Sequence, residues 1–108
     1  MDKKVVFISG PITGVPKYWE AFEAAMDEVS AAGYIPLVPS FLPTGMSFER
    51  YARICMAMID SADAVLLLPG WTASPGASLE HQYCQYINKP ACFGIPALRE
   101  ALGEGVKK

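Results

Sequence analysis

Metal ligands and basic charge are scarce in this chain, and each shortage excludes something. There is a single histidine, His81, and the three cysteines Cys55, Cys84 and Cys92 stand far apart with no CxxC pair. That set lacks the spacing of a structural zinc site, so no metal is expected. An odd cysteine count without a signal-peptide pattern leads to the expectation of a reducing, cytoplasmic protein. Nine Lys and Arg against eleven Asp and Glu give a formal net charge of −2. No basic footprint for a nucleic acid polymer exists, although a small nucleotide needs only a few local donors. Long apolar runs are missing too: Ala64 to Leu68 (AVLLL) falls far short of the roughly 20 residues that span a bilayer. No membrane partner is expected.

What is present is 108 residues, 52% of them apolar and 19% charged. Such a chain suits one compact domain, residues 1–108 with a core over about 4–95, ending in a polar tail. No linker, repeat or low-complexity segment divides it.

Strand-like and helix-like segments alternate. Lys4 to Ser9 (KVVFIS) reads as a first strand ending at Gly10-Pro11. Lys17 to Ala32 carries Trp19, Phe22, Met26 and Val29 at helical spacing, with Trp19 opening the core stripe, and stops at Gly33. Tyr34 to Val38 is a second strand. Ser47 is placed to cap a helix running to about Ser61, with Phe48, Tyr51, Cys55, Met58 and Ile59 inward. Ala62 to Leu68 reads as a fully buried strand. A third helix starts at Pro75 with Ser74 as N-cap. Pro90 to Ile95 forms a fourth strand and Pro96 to Leu102 a short last helix. This order predicts an α/β, three-layer Rossmann/flavodoxin-like fold: a parallel four-stranded sheet, order 2-1-3-4, with helices on both faces.

Ligands of such sheets bind beyond the carboxyl ends of the strands, near the switch point between strands 1 and 3. Two unusual loops fall there, SGPITGVP and PGWTASPG, with Glu80 on the helix that follows the second. On a helical wheel from Gly76 to Lys89, Glu80 lies between Ile87 and Cys84, inside the apolar arc. An unpaired carboxylate there costs several kcal/mol or shifts its pKa, unless it borders a cleft. Glu80 is therefore the candidate catalytic residue. Ser74 and Gly76 are explained as cap and first-turn residue, and the same geometry offers N–H groups to an anion. Trp71 has two open readings, packing beneath its loop or offering an aromatic face to a planar ligand. SGPITG lacks the dinucleotide and Walker A spacings, although Thr13 and nearby backbone are in reach of a ligand, as is Tyr18. His81, on the polar arc, is read as solvated, and Cys55 as a small buried hydrophobe.

FISGPITG, DSADAVLLLPGW and SPGASLE together resemble the nucleoside 2-deoxyribosyltransferase-like superfamily over most of residues 4 to 94. That group holds deoxyribosyltransferases, 2′-deoxynucleoside 5′-phosphate N-hydrolases and short phage-associated members of unassigned function, which this chain resembles most. The resemblance implies that Glu80 is a nucleophile at the sugar's anomeric carbon. It implies that Ser74, Gly76, Gly10, Ile12 and Gly14 surround the substrate, Ser74 matching a serine that binds phosphate in the hydrolases. Pro11 and Thr13 replace the hydrolases' serine and arginine, and Cys55 replaces an aspartate that assists the leaving base.

The implied function is cleavage or exchange of an N-glycosidic bond in a nucleoside or nucleoside 5′-monophosphate. The alternative is a nucleotide-binding or sensing module that kept the pocket and lost catalysis. No cofactor is implied. The expected partners are a small-molecule nucleoside or nucleotide and further copies of the chain, as a homodimer or higher homo-oligomer. PGWTASPGASLE also faintly resembles the PGGxGTxxE loop of phosphoribohydrolases, at a different spacing.

Overall fold

The computed structural model describes residues 3–103; the polar tail expected beyond them lies outside the described residues. Strand β1 spans Val5–Ser9, β2 Ile35–Leu37, β3 Ala64–Leu67 and β4 Ala91–Cys92, and the helices are α1 Tyr18–Ala31, α2 Phe48–Ser61, α3 Pro75–Tyr86 and α4 Ile95–Ala101. Short 3₁₀ turns at Pro39–Phe41 and Trp71–Ala73 precede α2 and α3. The four strands lie in the order β2-β1-β3-β4, as expected, and every pairing is parallel.

Alternation along the strands sorts the core into two layers. Val6 and Ile8 of β1, with Ala64 and Leu66 of β3, pack against Phe22, Ala25 and Val29 of α1 and Leu98 of α4. Phe7, Val65 and Leu67 face the other way, onto Cys55 and Ile59 of α2 and Cys84 of α3. Ser9 is two residues beyond Phe7, so the same alternation turns it toward α2 and α3. That single consequence of strand periodicity sets up the site.

The helix ends follow local chemistry. α1 closes in a Schellman motif: the Gly33 N–H bonds Ser30 O, the Tyr34 N–H bonds Val29 O, and Gly33 takes φ 96°. Ser47 caps α2, its side chain accepting from the Arg50 N–H.

Three expectations need correction. Phe48, placed on the inner face of α2, is 55% exposed in the first turn of that helix. Trp19 is 46% exposed and not core. The stripe that packs is Phe22, Ala25 and Val29, and the first turn turns Tyr18 inward instead, with Trp19 edge-on to it at 5.5 Å. The fourth strand is only Ala91–Cys92. Gly94, at φ 92°, diverts the chain there, so that Ile95 opens α4 rather than ending a strand.

Candidate active site

At the carboxyl end of β1, Gly10 brings the first loop hard against the end of β3. A Cβ at Gly10 would stand 2.9 Å from Leu68 Cβ, so no side chain fits without displacing Leu68. Across from this loop, Ser74 caps α3 by accepting from the Ala77 N–H at 3.2 Å, and Pro75 takes the first helical position. The Ser78 hydroxyl donates back to the carbonyls of Trp71 and Thr72, each at 3.3 Å, which ties the loop to the helix.

Glu80 lies three residues after Ala77 and four before Cys84, both buried, so its side chain leaves the inward face of α3. Ser9, with no exposed surface, donates its hydroxyl to Glu80 Oε1 at 2.6 Å. The Cys55 thiol is a second hydrogen-bond partner of the carboxylate. Burial pushes the Glu80 pKa above its usual 4.5, and the bonds from Ser9 and Cys55 partly oppose that rise. The same burial, with the neighbouring Glu80 charge, pushes the Cys55 thiol up to about 12. At neutral pH Cys55 is therefore a protonated donor and not a nucleophile.

Beside Glu80 opens a cavity of about 460 Å³, within the range of small-molecule sites. Gly10, Ile12, Thr13, Ser74, Gly76 and Glu80 all line it, so both loops and α3 meet there. Gly14 and Trp71 do not. Gly14 sits exposed in the loop at φ 76°, as the turn requires. Trp71 packs partly buried against the α2–α3 layer, its ring 4.5 Å from that of His81. His81, expected to be solvated, is accordingly only partly exposed.

The remaining wall was not foreseen as such. Leu42, Phe48, Tyr51 and Cys55 make it largely apolar and aromatic, together with Tyr18, which the sequence did place within reach of a ligand. Tyr51 also fixes the segment that forms one side: its hydroxyl donates to Pro43 O at 2.5 Å and accepts from the Met46 N–H at 3.3 Å. Ser9 was missed as well, although a serine ending a strand buried on both faces must find a partner. Asp60 and Asp63 lie away from the cavity, Asp60 accepting from the Tyr83 hydroxyl at 2.6 Å and Asp63 from the Val5 N–H at 2.8 Å. Among the described residues no group of three or more His, Cys, Asp or Glu side chains is placed to hold a metal ion. No helix among them is long and apolar enough to cross a membrane.

Residues 4–93 match a protein family described as a domain of unknown function, DUF4406. The chain belongs to this family. Among solved structures, the DUF4406 domain is similar to a 2-deoxyribosyltransferase from Leishmania mexicana, with a TM-score of 0.63 and 20% sequence identity. The likeness covers 83% of this chain and 63% of that one, so the DUF4406 domain spans under two thirds of that enzyme. At that identity what the two share is the fold. No curated protein matches the sequence.

Proposed function

We propose that this DUF4406 domain breaks or exchanges the N-glycosidic bond of a nucleoside or nucleoside 5′-monophosphate, with Glu80 as nucleophile. The observation that carries the reading is Glu80 itself: a carboxylate held by Ser9 and Cys55 beside a mostly apolar cavity at the carboxyl ends of the strands. The deoxyribosyltransferase fold and the sequence resemblance support it.

The chemistry suits a fixed carboxylate. As the C1′–N bond lengthens, its electron pair leaves with the base and positive charge gathers on the sugar. A Glu80 oxygen stabilises that charge and closes a C1′–O bond, giving a glycosyl-enzyme. The departing base takes up a proton. Attack on C1′ by water, which gives up a proton, yields the free sugar; attack by a second base yields a new nucleoside. Either step returns the carboxylate. The low-polarity wall strengthens the attraction between carboxylate and cation. Tyr18, Phe48 and Tyr51 offer ring faces for the base.

One observation favours the alternative of a binding or sensing module. Cys55, which replaces the aspartate expected to assist the leaving base, has its pKa pushed up to about 12 and is a weak proton donor at neutral pH. The deciding experiment is chromatographic. Purified protein and Glu80→Gln are incubated with ribo- and deoxynucleosides and their 5′-monophosphates, with and without a second free base. Base release or exchange by the parent protein, lost in the variant, supports the enzyme. Binding without turnover in both supports the module.

We also propose a homodimer or larger homo-oligomer, since sites in the resembled superfamily are completed by a neighbouring subunit. Phe48, 55% exposed at the cavity's edge, is a side chain such a copy would cover. Sedimentation of the parent protein and of Phe48→Glu tests this, with dissociation expected in the variant.

A further inference from the structure

Glu80 is the only carboxylic acid side chain among the described residues that line the cavity. Among the described residues that line it there is no lysine, arginine or histidine. Lys17, Arg50 and Arg53 neighbour the wall in sequence, yet all three are exposed and none lines it.

The other place that could hold an anion is the start of α3, where most donors are already engaged. Pro75 has no N–H. The Ala77 N–H goes to Ser74 Oγ at 3.2 Å and the Ser78 N–H to Ser74 O at 2.8 Å. Gly76 remains, and beside it stands an apolar ring: Phe48 Cε1 would be 3.8 Å from a Cβ at that position. A phosphate dianion brought here would give up its water, meet no cation among the described residues of this chain that line the cavity, and lie beside the Glu80 carboxyl group.

We propose, resting on the glycosidic reading above, that the site takes an unphosphorylated nucleoside and rejects the corresponding 5′-monophosphate. The lining suits neutral sugar hydroxyls, which pair with the hydroxyls of Thr13, Thr44 and Ser74 and with the Glu80 carboxylate. Glu80's own protonation adds to the selection. Burial already raises its pKa, and a dianion nearby would raise it further, leaving less carboxylate for attack.

The test pairs each 2′-deoxynucleoside with its own 5′-monophosphate at pH 7. It measures kcat/KM on the parent protein and calorimetric binding on Glu80→Gln. The nucleoside is expected to lead by about 100-fold or more in kcat/KM and to be the tighter ligand of the variant. Thr13→Arg sets a guanidinium on the exposed part of the wall and is expected to shrink that ratio about tenfold. A monophosphate used as well as the nucleoside, or better, overturns this inference and leaves the glycosidic reading standing. An unchanged ratio in Thr13→Arg overturns the electrostatic cause. A nucleoside that binds without turnover keeps the neutral ligand and removes the reaction. No binding and no turnover for either compound removes both.

Discussion

Ser9 Oγ donates to Glu80 Oε1 across 2.6 Å, joining the last residue of β1 to the second turn of α3 over 71 positions of sequence. The bond ties the sheet's central seam to the candidate nucleophile. It is also one of the forces holding down the pKa of a carboxylate that burial pushes up.

Ser9→Ala removes that restraint. The Glu80 pKa is expected to rise further, and the acid limb of any pH–rate profile to move to higher pH, because attack requires the carboxylate. Loss of the bond is also expected to cost about 1–2 kcal/mol of stability, read from the urea midpoint. A stability loss with an unmoved acid limb would leave Ser9 with a structural task alone.

Glu80→Gln has a pH signature independent of activity. The native Glu80 pKa lies above its ordinary 4.5, so the protonated form is the one the fold favours. Its stabilising share is complete below about pH 4.5 and is lost as pH rises through the raised native value. The stability of the parent protein relative to Glu80→Gln is therefore expected to fall across that window, and thermal melts from pH 4 upward would show it. A constant difference would mean that burial does not perturb the carboxylate.

Cys55 and Cys84, their thiols pushed up to about 12 and about 11, hold almost no thiolate at neutral pH. Alkylation followed by peptide mass mapping is expected to label both slowly in the native protein and quickly in denaturant. Fast native labelling of Cys55 would contradict its role as a protonated donor to Glu80.

Tyr51→Phe keeps the ring in the cavity wall and deletes the hydroxyl that bonds Pro43 O and the Met46 N–H. The segment carrying Leu42, Thr44 and Gly45 loses its fastening. Ligand affinity is expected to fall several-fold, with a smaller change in turnover once the site is saturated. Calorimetry on the Glu80→Gln background separates the two.

The sheet was readable because strand and helix periods alternate cleanly, and Glu80 because a helical wheel set a carboxylate among Ile87 and Cys84. Ser74 was readable from cap chemistry, and its side chain does accept from the Ala77 N–H. The far wall of the cavity was not legible. Residues 42 to 47 have no periodicity, and what orders them includes a hydroxyl on the following helix, Tyr51, that sequence spacing assigned only to an inner face. Trp19 misled because it keeps helical spacing with Phe22, whereas the stripe that packs runs through Tyr18, Phe22, Ala25 and Val29 and leaves Trp19 on its flank. Cys55 was read by size as a small hydrophobe. It is buried, yet its thiol also touches the one carboxylate in the cavity, a contact between two helices that no local pattern encodes.

The most direct measurement of the central claim is rapid quenching of the protein with a 2′-deoxynucleoside, then intact-mass and peptide analysis. If Glu80 is the nucleophile, a deoxyribosyl unit will be found on the peptide containing Glu80 and will be absent from Glu80→Gln. Steady release of base with no such adduct at any quench time, or undiminished release by Glu80→Gln, would contradict it.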